Sequence, residues 1–334
     1  MKVLLVKLTS LGDVIHTLAA AQEALVARPE LQLHWAVDAQ FASVLQAFPG
    51  LTQVHALPLR RLGLRLWHPD WRLALSTLRA TAFDAIIDAQ GLSKSALVSR
   101  MARLAPQGRR YALGLQTDGS SYEAPTRWVA DVCIDTPLHI HAVDRSRMML
   151  AQALGYDLPA PLSTSERPWL SVKPAASLPP QTVALVHGTS RADKAWPHAH
   201  WLALGERLSQ QGFALALLHG NDAEARQAQA LKDQAGASWG VCEIWPRSDL
   251  TQLSARLAAC AGVVGVDGGV SHVAVALGRP HVQIYNFDTA WRTGPVGQNH
   301  QLSVFAAPTP SVDAVWQAWQ TAWAAHQACP PNAS

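Results

Sequence analysis

Charged residues make up only 15% of this 334-residue chain, while hydrophobic residues make up 49%. A chain so poor in charge and rich in core material is not disordered, and two cores can be filled from it. Four cysteines, Cys133, Cys242, Cys260 and Cys329, are too scattered for a CxxC zinc site or a disulfide framework. They read as buried free thiols of a reducing cytoplasm. No run of about 18 uncharged apolar residues occurs, so no membrane-spanning helix is expected. Lys7, Asp13 and His16 interrupt the opening apolar run, which argues against a secretory signal. Asp-x-Asp is absent, as are His/Cys/Asp clusters at ligand spacing, so no metal site and no cofactor are expected. GxxxxGK[ST] and GxSxG are missing too, which excludes a P-loop and a nucleophile elbow.

What is present is a plan stated twice. At about 150 residues per domain, the length allows two domains. In the first half, strand patterns at residues 2–8, 34–38, 53–57 and 84–89 alternate with helical patterns at 13–26, 93–104 and 141–154. Prolines then crowd residues 159–181 without helical period, which marks a linker. The second half restarts with strands at 183–187, 214–218, 263–267 and 281–285 between helices at 198–210, 223–235, 250–260 and 270–277. This rhythm predicts two α/β halves with parallel sheets, whose ligands bind at the carboxyl ends of the strands, in a cleft between the halves. Trp316, Trp319 and Trp323 recur at helical spacing near the end and read as core.

Chemistry is expected where strands hand over to helices. Strand one ends in Leu8-Thr9-Ser10-Leu11-Gly12-Asp13, where Asp13 either caps the helix or acts as a general base. Strand 183–187 runs into Gly188-Thr189-Ser190 and then Lys194, a set of hydroxyls, backbone N–H groups and one point charge suited to phosphate. Gly265-Val266-Asp267-Gly268-Gly269 leads into a helix bearing His272 in its first turn, where glycines let a diphosphate approach the N-terminus. The run fits GxGxxG poorly, so a hydride-transferring dehydrogenase is disfavoured. Between Arg60 and Arg110, ten basic residues face three acids. They are either solvated helix faces or a patch for an anionic substrate or membrane. A net charge of +3 is too small to imply nucleic acid.

KVLLVKLTSLGDVIHTL, DAIIDAQGLSKSALVSR, HGTSRADKAWP and GVDGGVSHVAVALGRPHVQIY follow one another over nearly the whole chain. In that order they resemble the lipopolysaccharide heptosyltransferases, the family-nine glycosyltransferases of GT-B fold. DAQGL followed by KSA resembles the type I members rather than type II. The resemblance implies two Rossmann-like domains facing each other across a cleft. Residues 1–158 would bind the acceptor, 159–181 form the linker, 182–310 bind the ADP-sugar, and 311–334 add a helix and tail.

It implies inverting transfer of L-glycero-D-manno-heptose from ADP-heptose, as substrate, to the Kdo of lipid A, in the cytoplasm and at the inner membrane face. Asp13 would be the base. Ser10, Gly12, Thr189, Ser190, Lys194, Glu224, Asp267, Gly268, Gly269 and His272 would bind the donor, with Glu224 on the ribose. Arg60 and Arg61, with Lys94, would meet the acceptor. The chain departs from the family pattern twice: Gly268 stands where Thr or Ser is expected, and Asn286-Phe287 stands where Gly-Pro is. A nucleotide-sugar epimerase, which converts donor without acceptor, and a non-catalytic nucleotide-sugar binder share the same architecture.

Overall fold

The computed structural model describes residues 1–158, 168–175 and 178–328. Residues 159–167 and 176–177 of the expected linker, together with Cys329, lie outside the described residues. The chain folds as two compact units, Met1–Pro161 and Leu162–Ser334.

The first unit holds strands β1 (Lys2–Val6), β2 (Gln32–Asp38), β3 (Leu51–Leu57), β4 (Ala82–Asp88), β5 (Arg103–Leu113) and β6 (Val132–Ile134). Its helices are α1 (Leu11–Ala27), α2 (Ala42–Gln46), α3 (Leu59–Leu62), α4 (Pro69–Ala80), α5 (Ser93–Met101), α6 (Pro125–Val129) and α7 (Ala142–Leu154). The sheet order is β3-β2-β1-β4-β5-β6, parallel at every pairing. β1 and β4 sit at its centre, and Val3, Leu4, Leu5, Val6, Ala85, Ile86 and Ile87 are fully buried. Helices on both faces require such unbroken apolar strands. α1 and α7 are joined by polar contacts as well as packing: Arg147 is buried and bonds Glu23 at 2.7 Å and Asp144 at 2.8 Å. α7 stops at Gly155, whose φ of 67° is the left-handed cap that glycine adopts without a Cβ penalty.

The second unit holds β7 (Thr182–Val186), β8 (Ala214–Leu217), β9 (Cys242–Ile244), β10 (Gly262–Val266), β11 (His281–Tyr285) and β12 (Gln301–Phe305). Its helices are α8 (His198–Gln210), α9 (Asp222–Ala235), α10 (Leu250–Ala259), α11 (Gly269–Ala276), α12 (Ala290–Thr293) and α13 (Val312–Ala328). The order β12-β11-β10-β7-β8-β9 is again parallel throughout. Counted within each unit, both sheets run third, second, first, fourth, fifth, sixth, the doubly wound arrangement. Tryptophans fill the second core. Trp196 meets Trp201 edge-on at 4.9 Å, and Phe213 meets the edges of Trp319 and Trp323. The expected stripe on α13 is therefore core.

Two expectations need correction. The helix expected over 93–104 ends at Met101, because Arg103 and Leu104 pair with Ala82 and Phe83 as the start of β5. Pro106 and Gly108 hid that strand from the sequence pattern. Cys133 is exposed and Cys242 half-buried, so of the described thiols only Cys260 is buried. Among the described residues, no helix is long and apolar enough to cross a membrane.

Candidate functional site

In doubly wound sheets, ligands bind beyond the strand ends where the first and fourth strands lie side by side and the crossovers diverge. Each unit places a polar cluster at that point.

In the first unit β1 runs into Ser10, the N-cap of α1, and Asp13 in the helix's first turn. The Ser10 backbone N–H and Oγ both donate to Asp13 Oδ2, at 3.0 and 2.8 Å. Asp13 Oδ1 lies 3.9 Å from Lys7 Nζ, a buried ammonium that donates to the Ala89 carbonyl at 2.9 Å. One carboxylate oxygen thus caps the helix while the other faces a cation, so capping and a role in chemistry are not exclusive. Burial works to raise the Asp13 pKa. Lys7, the two Ser10 bonds and Arg145 overcome it and hold the carboxyl below its ordinary range. Burial pulls the Lys7 ammonium down to about 8, against the opposing charge of Asp13.

The chain beyond β4 completes the cluster. Gln90 Oε1 accepts from the backbone N–H groups of Leu8 and Thr9, at 3.0 and 3.2 Å, tying this loop to the one after β1. Asp88 accepts from Gln90 N, Gly91 N and Ser95 Oγ, yet burial raises its pKa to about 6.

In the second unit, Asp267 at the end of β10 is the hub. Lys194 Nζ lies 2.5 Å from its Oδ2, while Gln283 Nε2 donates to Oδ1 at 3.3 Å and His272 Nε2 approaches the same oxygen at 3.4 Å. Burial alone would raise this carboxyl. The bond and charge of His272, then those of Lys194, hold it far below the usual range. Lys194 sits in a short turn, Ala192–Lys194, followed by the buried Trp196, whose indole donates to the Pro310 carbonyl at 2.9 Å. The loop after β7 packs against α9. A Cβ at Gly188 would stand 2.6 Å from Glu224 Cδ, and Glu224 Oε2 accepts from Gly220 N at 2.6 Å.

Gly268 is the N-cap of α11, and a Cβ placed there would be 4.0 Å from the Gly188 carbonyl. Gly188, Glu224 and Gly268 thus adjoin, with Thr189 and Ser190 extending from the same loop. Gly269 opens α11, one turn before His272.

The expected acceptor residues are more dispersed. Arg60, on α3 after β3, bonds Gln40 and stacks over Phe41. Arg61 is ion-paired with Asp70. Lys94 is exposed in the first turn of α5, after β4. All three share the carboxyl edge of the sheet with Asp13. The basic stretch divides between its two readings. Arg79, Arg103 and Arg110 donate to the carbonyls of Met101, Ala80, Ser99 and Ala102, closing the C-terminal ends of α4 and α5 rather than offering free charge. Arg65 and Arg72 are exposed, as are Leu64, Trp67 and Leu73 beside them.

Sequence reasoning missed Lys7, Asp88, Gln90, Arg145 and Gln283. The one available signal was the interruption of a buried strand pattern by Lys7, Asp88 and Gln283. Among the described residues no group of three or more His, Cys, Asp or Glu could hold a metal ion.

Comparison with known proteins agrees with this fold. Residues 71–315 match the model of glycosyltransferase family 9 (heptosyltransferase). Lipopolysaccharide heptosyltransferase 1 of Pseudomonas aeruginosa is 33% identical over 303 residues, covering 90% of this chain and 82% of that protein. The enzyme of the same name from Salmonella typhimurium is 33% identical over 315 residues, covering 90% and 92%. The solved structure of E. coli heptosyltransferase WaaC with ADP is 27% identical, covers 96% of this chain and 100% of that one, and has a TM-score of 0.80. With the family model matched over most of the chain and relatives at 33% identity, the chain belongs to glycosyltransferase family 9, the heptosyltransferases.

Proposed function

We propose that the protein is an inverting heptosyltransferase that moves L-glycero-D-manno-heptose from ADP-heptose to the Kdo of lipid A. The observation that carries the mechanism is the division of labour within Asp13. Ser10 occupies Oδ2, and the depressed pKa keeps the carboxylate ionised at neutral pH. Oδ1 then takes the proton of the Kdo hydroxyl as that oxygen forms its bond to the anomeric carbon. The bond from the anomeric carbon to the diphosphate oxygen breaks, and its electron pair leaves with ADP. Attack from the face opposite the leaving group inverts the anomeric centre.

Departing charge is met by Lys194 and by the N–H groups at the start of α11, both fixed beforehand, so little reorganisation is needed. Thr189 and Ser190 hold the diphosphate with them, and Glu224 takes the ribose hydroxyls. Asp267 and His272 hold Lys194 in place. Ser10 and Gly12 line the sugar side. Arg60, Arg61 and Lys94 receive the acceptor's carboxylate and phosphates. The acceptor being a lipid, the protein works peripherally at the cytoplasmic face of the inner membrane.

A coupled ADP-release assay with ADP-heptose, run with and without Kdo-bearing lipid A, tests this reading. Release that requires the acceptor is expected. Conversion of donor without acceptor would replace the reading with an epimerase, and ADP binding without turnover would replace it with a binding protein.

A further inference from the structure

Asn286 stands at one of the two departures from the family pattern, and the structure gives it three hydrogen bonds. Its Nδ2 donates to the carbonyls of Asp193 and Ala195, at 2.9 and 3.0 Å. These two carbonyls flank Lys194 on either side. Its Oδ1 accepts from Thr309 Oγ1 at 2.8 Å, which fixes the amide's orientation. The neighbouring Pro310 carbonyl receives the indole of Trp196, two residues beyond Lys194, so the chain after β12 braces both Asn286 and the segment that follows the lysine turn. Phe287, the other substituted residue, lies under the Arg191 guanidinium at 5.9 Å, at the start of the same turn.

We propose that Asn286 is a positioning residue for Lys194: it clamps the backbone on both sides of the lysine while Asp267 holds the ammonium, so that the side chain meets the donor diphosphate already oriented. The inference rests on the donor-binding reading above. Lys194 has a long, rotatable stem, and a cation free to swing loses part of its binding energy to being ordered. The hydrogen bond to Asp267 restrains one end only. The Gly-Pro pair that the resemblance leads one to expect at these positions carries no side-chain amide and could not make these bonds. An aspartate at 286 could still accept from Thr309, but it would set its charge against two carbonyl oxygens.

Titration calorimetry with ADP tests it on the intact protein, using wild type, N286A, N286D, T309V, K194A, N286A/K194A and T309V/K194A, with melting temperatures beside each. Loss of two donations should weaken ADP binding in N286A on the order of tenfold. N286D should bind no better than N286A, and T309V should lose less in the same direction. Because Asn286 acts through the lysine, N286A should add less than about twofold in the K194A background, in the way coupled neighbours depart from additivity.

Wild-type affinity in folded N286A, or effects of N286A and K194A that multiply, would overturn the clamp. If N286A does not fold, T309V decides: its loss must vanish beside K194A. A wild-type protein that binds no ADP would overturn the donor reading, and the clamp with it, whereas binding untouched by these changes overturns the clamp alone.

Discussion

Asp13 and Lys7 form a pair in which each alters what the other can do. The lysine's charge helps keep the carboxylate ionised, and the carboxylate's charge keeps part of the buried lysine's basicity. Asp13→Asn keeps the shape and a capping acceptor but cannot take a proton. It should leave ADP affinity within about twofold and lower kcat by about 10²–10⁴. Near-normal turnover would remove Asp13 from the chemistry.

Lys7→Met makes a subtler prediction. At low pH the lysine is protonated and favours the Asp13 carboxylate, so with Asp13 as the base the acid limb of the wild-type kcat/KM profile should lie below the ordinary aspartate range. Without that charge the carboxyl pKa rises, and activity should begin to fall at a higher pH. An acid limb that stays in place would show that Lys7 serves the fold rather than the base. These buried partners were poorly legible in the sequence for a physical reason. Lys7 meets Ala89, and Gln90 meets Leu8 and Thr9, each across about eighty residues, and no periodicity encodes a pairing of that range. A capping role for Asp13 was legible because helix capping is local, although its partner Ser10 was not foreseen.

Secondary elements show the same divide between local and distant causes. The central strands β1, β7 and β10 announce themselves as apolar runs, since both faces are covered, while β4 keeps a shorter one, Ala85-Ile86-Ile87, between Asp84 and Asp88. β6, β9 and β12 lie toward or at the sheet edges, and β6 and β9 have three residues each. Patterns that short are indistinguishable from loop, and tertiary pairing decides them. The glycines of the β10–α11 turn also divide by cause. At Gly265 a Cβ would lie 2.5 Å from Ser271 Oγ and 2.7 Å from Val186 Cβ, so the helix and β7 approach because this residue has no side chain. At Gly268 the nearest heavy atoms are 3.8 Å away and the backbone is extended, which any residue adopts.

Gly265→Ala should therefore destabilise by about 1–3 kcal/mol, as overpacking does. Gly268→Ser should fold with stability changed by no more than a few tenths of a kcal/mol, serine being at least as good an N-cap. Denaturant unfolding of both variants checks the contrast. Equal costs would mean that the turn tolerates no side chain anywhere. A tolerated serine would locate this departure from the family pattern in the donor contacts rather than in the backbone.

For the whole molecule, the repetition of one sheet order in two units explains why so much was readable. A plan stated twice supplies two strand–turn–helix junctions of the same kind, and the chemistry-bearing residues fall on both. The exposed surface is the part that a linear count of charge described least well. Of the ten basic residues between Arg60 and Arg110, three bond backbone carbonyls and Arg61 is paired with Asp70. Near the start of that stretch, Trp67 is 73% exposed and Leu73 is 68% exposed, with Arg65 and Arg72 between and beside them.

α4 turns Trp71 and Leu78 to the core, so Leu73 is surplus to packing. Indole and leucine side chains flanked by arginines suit the boundary of an anionic bilayer, where apolar burial and charge attraction add. If the peripheral contact proposed above uses this face, sedimentation with vesicles containing anionic lipid should capture the protein at low salt. Capture should fall as ionic strength approaches about 0.5 M, because exposed charges are screened. Trp67→Ser with Leu73→Ser should reduce it further while leaving the melting temperature unchanged. Equal capture by neutral vesicles would remove the electrostatic part, and full capture of the double variant would remove this face from the contact.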